Sequence, residues 1–206
     1  MKQALKAILL PAMLLSQPGH AGDYVITING ASAEIGLDRE HTLELSDGTR
    51  LNVTLHQKDY LRFQADLFSF EHKSEYKPNR NDLGGGVYQT MLVTPLGTGI
   101  IVQEYMQINP AMLVDMMINE LTKEEVDYGY KFTEEKVSRK VGGAEFSGKR
   151  AKTSYPGEEW TRTVLARGGK DKGLLVVTFI EKENYEKENN LIEHLWESLE
   201  LSEELR

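Results

Sequence analysis

The chain has 206 residues, 40% of them apolar and 27% charged, and carries a formal net charge of −8. This length and balance suit one globular domain with a small appendage and exclude a chain too short or too charged to bury a core. The acidic excess repels nucleic acid and anionic lipid headgroups, so neither is an expected partner, and with no cysteine the chain forms no disulfide, no thiolate metal site and no cysteine-linked lipid anchor.

The N-terminus has the layout of a secretory signal peptide. Lys2 and Lys6 give a basic start, Ala4 to Leu15 is a short apolar run interrupted by Pro11, and Ser16 to Ala21 are small and polar, ending in Gly19-His20-Ala21. The apolar run falls short of the ~20 residues that a membrane span needs, so cleavage after Ala21 is expected, and with it a periplasmic or secreted location. What remains is 185 residues with 22 basic and 32 acidic side chains, a net charge of −10. No later apolar run reaches spanning length, so no stable membrane insertion is expected after cleavage.

Tyr24–Ile28 alternates and is rich in β-branched residues, a short strand closed by the turn signal Asn29-Gly30. Thr42–Leu45 and Leu51–Leu55 alternate on either side of Ser46-Asp47-Gly48-Thr49, a strong short-range hairpin signal. These elements predict an N-terminal β-hairpin extension over residues 22–58, ahead of an α+β domain over 59–206. Tyr60–His72 is apolar with Leu61, Phe63, Leu67, Phe68 and Phe70. Tyr76 to Gly86 reads as a loop from its Pro, Asn, Asp and Gly content. Val87–Thr94 and Ile100–Gln107 read as strands joined by Pro95-Leu96-Gly97-Thr98-Gly99.

Asn109-Pro110 opens a helix, with Asn suited to the N-cap and Pro to the first helical position. Leu113, Val114, Met117, Ile118 and Leu121 recur at helical spacing, and Gly129 follows. Lys131–Lys140 is a polar edge strand. Ala144–Thr153 and Glu159–Arg167 flank the turn Tyr155-Pro156-Gly157-Glu158. Leu174–Ile180 is nearly all apolar, a central strand buried on both faces. From Tyr185 to Leu201, Leu191, Ile192, Leu195 and Leu199 share one face of a second amphipathic helix. Strands joined in order by short turns pair antiparallel, so the predicted class is α+β: an antiparallel sheet with two amphipathic helices packed on it, plus the N-terminal β-hairpin appendage.

From about Tyr60 onward the order of elements resembles the PsbP-like superfamily, which includes the extrinsic lumenal protein of photosystem II, the nuclear Ran-binding Mog protein and bacterial exported proteins of the DcrB type. The resemblance is carried by Phe68-Ser69-Phe70-Glu71 before a Pro-containing loop and by the helix Asn109–Leu121. It continues through Val141-Gly142-Gly143-Ala144-Glu145-Phe146-Ser147-Gly148 and through Val176-Thr178-Phe179 ahead of a final helix ending Leu195-Trp196-Glu197-Ser198-Leu199. It covers about two-thirds of the chain. It implies a binding or accessory protein without a shared catalytic set and without a cofactor, so no site residue carries over. The expected partner is an envelope protein or a small ligand. The N-terminal extension and the missing lipid-attachment cysteine depart from many bacterial relatives.

Gly143 to Lys149 has the spacing of a phosphate-binding loop, but Arg150 stands where Ser or Thr is required and a strand follows in place of a helix. Gly84-Gly85-Gly86 precedes a strand, so it is no dinucleotide fingerprint; as part of a glycine-rich loop it is a candidate ligand contact. His41, His56, His72 and His194 remain after leader removal. Only His194 and Glu197, three apart on a helix, share a face, which suits a metal, a proton relay or a solvated surface. They are the candidates for a hydrolytic or metal-dependent enzyme. Met112 and Met116 lie off the core stripe, where thioethers suit Cu(I) or adaptable protein contacts. No Gly-x-Ser-x-Gly nucleophile elbow occurs.

Overall fold

The computed structural model describes residues 24–206, so the leader reading on Met1–Ala21 lies outside the described residues. The chain divides into two units, one ending at Gln57 and the other running from Lys58 to Arg206.

The first unit consists of two hairpins. β1 (Tyr24–Ile28) pairs antiparallel with β2 (Ala31–Ile35). The turn between them places Asn29 at φ 50° and Gly30 at φ 85°, the left-handed pair whose twist matches the flanking strands. β2 escapes the sequence reading because Ala31-Ser32-Ala33-Glu34 has no β-branched or aromatic side chain. β3 (Glu40–Glu44) pairs with β4 (Arg50–Thr54), setting Leu43 opposite Leu51 and His41 opposite Val53. At their turn the Asp47 carboxylate accepts the Thr49 backbone N–H at 2.9 Å, and that bond holds the Asp47 pKa below the usual carboxylate value. Ile35 and Leu43 are the buried apolar side chains of this unit among the described residues.

The second unit is built on a seven-stranded antiparallel sheet. Its strands are β7 (Asn79–Gly84), β8 (Val87–Val93), β9 (Gly99–Tyr105), β10 (Lys131–Val141), β11 (Ala144–Tyr155), β12 (Glu158–Gly168) and β13 (Gly173–Glu181). They lie in the order β10-β11-β12-β13-β9-β8-β7. A smaller sheet is formed by β5 (Tyr60–Gln64), β6 (Phe68–Lys73) and β14 (Glu200–Leu201), with β6 in the middle. A 3-10 turn at Pro110–Leu113 leads into α1 (Val114–Tyr128), and α2 is Tyr185–Ser198. The class is therefore α+β. No helix among the described residues is long and apolar enough to cross a membrane.

The β13 run explains the layering. It is the central strand, and Leu174, Leu175, Val176 and Val177 are fully buried. Side chains alternate across a strand, so Leu174, Val176 and Ile180 join one core with Phe68 and Phe70 of β6 and Leu191, Leu195 and Trp196 of α2. Leu175 and Val177 join a separate core with Val114 and Ile118 of α1. The two helices thus cover opposite faces of one sheet. The 3-10 turn that leads into α1 starts on the Asn109 side chain, which accepts the Ala111 N–H at 3.0 Å, and the helix follows from Val114. α1 stops at Gly129, whose φ of 109° only glycine adopts readily.

One segment is corrected. The sequence predicts a loop from Tyr76 to Gly86, but Asn79–Gly84 is an exposed edge strand paired with β8. A strand with no buried residue shows no apolar alternation, and polar side chains are what an edge strand carries to avoid pairing with other chains. Gly84, Gly85 and Gly86 accordingly form a tight hairpin turn with φ of 81°, 61° and 74°, tied by the Gly84 N–H to Asp82 at 2.8 Å. It is not a long closing loop.

Glycines also open two seats at β13. Gly99 pairs with Phe179, and a Cβ on Gly99 would stand 2.0 Å from the Phe179 ring. Gly168 and Gly173 face one another, and added Cβ atoms there would meet Asn109 at 2.0 Å and Pro110 at 2.7 Å. Gly99→Val is expected to cost about 1–3 kcal/mol by overpacking. Urea unfolding would show this as a lower midpoint at unchanged slope, and an unchanged midpoint would show that the ring moves aside freely.

Candidate functional site

On the α2 face of the large sheet lies a groove of about 560 Å³. Its floor is laid by strand register. Arg150 of β11 stands opposite Thr163 of β12, which stands opposite Thr178 of β13. One step along, Lys152 faces Thr161, and Thr161 faces Ile180. Alternation keeps both rows on one surface. Val137, Ser138 and Arg139 of β10 form one side. Tyr185, Asn189, Ile192, Glu193 and Trp196, at helical spacing on α2, form the other.

The charges in the groove run against those of the whole molecule. Arg139, Arg150, Lys152 and Lys182 line it beside Glu159 and Glu193, in a chain of net charge −8. Arg139 bonds Glu193 at 2.8 Å and sits 5.4 Å over the Trp196 ring, whose centroid lies 5.6 Å from that of Phe146 in a T-shaped arrangement. These contacts fix the wall between β10 and α2. Arg150 pairs with Glu135 at 3.1 Å and Lys182 with Glu159 at 3.3 Å. Among the described residues Lys152 has no carboxylate within 4.0 Å. Nothing in the sequence singles this set out, because cations, threonines and helix residues come together only through pairing of β10 to β13. The one local signal is the alternation of Arg150 with Lys152 and of Thr161 with Thr163.

The residues singled out from sequence lie elsewhere. His194 Nε2 is buried without a hydrogen-bond partner, 3.7 Å from Glu71 Oε2, with the Tyr60 ring 4.2 Å from its own. The space beside it is about 10 Å³, room for one water at most. Glu197 is exposed. The carboxylate nearest His194 thus comes from β6, which no helical spacing reveals. Among the described residues no group of three or more His, Cys, Asp or Glu is placed to hold a metal. Met112 and Met116 are 75% and 51% exposed, on the outside of the 3-10 turn and α1. Gly84, Gly85 and Gly86 are not part of the groove lining.

An ion pair with one buried partner is likewise invisible to sequence spacing. Glu104, next to last in β9, is wholly buried. It accepts the Leu67 N–H at 2.9 Å and two Arg80 donors at 3.1 and 2.9 Å. Arg80 also holds Asp66 at 2.7 Å. Burial pulls the Arg80 pKa down, but its bonds to Glu104 and Asp66 outweigh that and hold it above its ordinary value. The pair joins the β5–β6 turn of the small sheet to the large one, which is a structural task. Its one signal in the sequence is a carboxylate that follows the apolar run Ile100–Val102 within a strand.

No protein-family model and no curated protein matches the chain. A protein of Bacteroides thetaiotaomicron VPI-5482, whose crystal structure was determined at 1.50 Å resolution, is similar with a TM-score of 0.39 and 13% identity. The match covers 66% of this chain and 46% of that one, so the chain spans about half the length of that protein. The likeness is too slight to transfer a fold or a function.

Proposed function

We propose that the chain is an exported, non-enzymatic binding protein of the cell envelope, PsbP-like in its main domain, which takes a small ligand in the groove between the large sheet and α2. The observation that carries this reading is the groove itself. Its 560 Å³ falls within the range of ~300–1,000 Å³ typical of small-molecule sites, and it is lined by hydrogen-bonding side chains held in place by strand register. The leader-like N-terminus supports export. The antiparallel sheet with two helices is consistent with the PsbP-like order.

The test fills the groove. Thr163→Trp places an indole on its floor. In a thermal-shift screen of small polar metabolites, the unaltered protein is expected to gain about 5–10 °C with a ligand at 100 times its Kd, and a folded Thr163→Trp variant to gain nothing. Equal shifts in both proteins would place binding elsewhere and end the groove reading. Export is checked by N-terminal sequencing of the envelope form, expected to begin at Gly22; an intact Met1 would refute cleavage.

A further inference from the structure

Resting on that binding reading, we infer that the groove takes a small polyhydroxylated anion, a sugar bearing a carboxylate or a phosphate, with its negative group at Lys152 and Arg150. Charge is the first argument. Four cations and two acids line the groove of a chain whose net charge is −8; with Glu135, which holds Arg150, the groove keeps an excess of one positive charge, opposite in sign to the chain, and concave walls focus it. The distribution of partners narrows the place. Arg139, Arg150 and Lys182 each hold a carboxylate. Lys152 holds none among the described residues, so it keeps all three N–H donors for a ligand. Arg150 lies two residues away on the same face of β11, about 6–7 Å along the strand, close enough for one anionic group to draw on both.

The neutral groups narrow the class. Thr163 and Thr161 stand directly opposite the two cations, with Cβ atoms about 5 Å across, and Thr178 continues the first row. Each hydroxyl donates one hydrogen bond and accepts others, and Asn189 adds both kinds of group. An apolar anion seated here would strip water from these groups and leave them unpaired, a penalised outcome. A ligand with its own hydroxyls satisfies them. Tyr185, 49% exposed, offers an aromatic face at the mouth on which the apolar side of a sugar ring can lie.

The experiment is isothermal titration of the purified protein with three probes: tri-galacturonate, glucose 6-phosphate and the neutral sugar maltotriose. At least one anionic probe is expected to bind at least tenfold more tightly than maltotriose and to weaken as salt rises from 50 to 500 mM. Preference for tri-galacturonate would assign the anionic group as carboxylate, and preference for glucose 6-phosphate as phosphate. Lys152→Ala is expected to lose about tenfold in anion affinity at an unchanged melting temperature, and Lys152→Arg to recover most of it. Binding of maltotriose as tight as that of the anions, and lost in Thr163→Trp, would overturn the anionic class while leaving the groove as a binding site. Full anion affinity in Lys152→Ala would overturn it too, as would failure of all three probes to bind. The thermal-shift comparison of Thr163→Trp decides the groove independently.

Discussion

Glu104→Ala is expected to lower the unfolding free energy of the main unit by about 3–5 kcal/mol, the cost of breaking a buried ion pair from one side. Glu104 has no exposed surface, and its carboxylate serves both the Leu67 N–H and Arg80. Removing it leaves a backbone donor without a partner and a guanidinium that keeps Asp66 and the face of the Tyr88 ring. The Arg80 side chain is 30% exposed, so water recovers part of the loss, which places the value in the lower half of the range. Glu104→Gln keeps one acceptor oxygen and should lose less. Equilibrium urea unfolding measures both variants; a loss below 1 kcal/mol in Glu104→Ala would show that water already reaches the pair. Replacing both partners with apolar residues, Glu104→Leu with Arg80→Met, should recover much of the stability, because two desolvated charges then disappear together.

Phe146→Ala should cost about 3–5 kcal/mol, the usual range for emptying a buried aromatic site. Phe146 is fully buried and packs T-shaped against Trp196, so it connects β11 to α2 beneath the groove wall. The chain has two tryptophans, and Trp196 is 5% exposed. The same substitution is therefore expected to shift the emission of Trp196 to longer wavelength, read in a Trp160→Phe background. A large stability loss without that shift would mean that α2 stays seated and the cavity collapses elsewhere. Because Trp196 supports Arg139, ligand binding in the groove should weaken as well.

Local chemistry was readable before the structure. Asn29-Gly30, Asp47-Gly48 and Pro156-Gly157 each mark a turn between paired strands, since left-handed or Pro-fixed backbone is encoded by one or two residues. The stripes of α1 and α2 were equally plain, because a helix repeats its buried face within a few residues. β7 and β14 were not readable. One is a polar edge, and the other is two residues long and exists only through its pairing with β6. The groove was hidden for a related reason. Arg150, Thr163 and Thr178 are separated by more than ten residues at each step and become neighbours only when three strands settle side by side. Candidates chosen by short spacing, such as His194 with Glu197, found a shared helix face but not Glu71, the group that lies against the histidine.

The two-sided burial of β13 raises the question of how its alignment is chosen. A strand oily on one side only is held in place by that side, because sliding by one residue would turn its apolar set toward water. β13 has no such penalty, as Leu174 to Val177 would find an oily layer in either position. The notches supply the missing information. The Phe179 ring fits over Gly99 and no bulkier neighbour, and Gly168 against Gly173 leaves just the clearance that Asn109 and Pro110 fill. They work like the pins of a lock: empty positions, not attractive ones, admit the strand at a single setting, and through it they set where the rows of Arg150 and Lys152 meet their threonines.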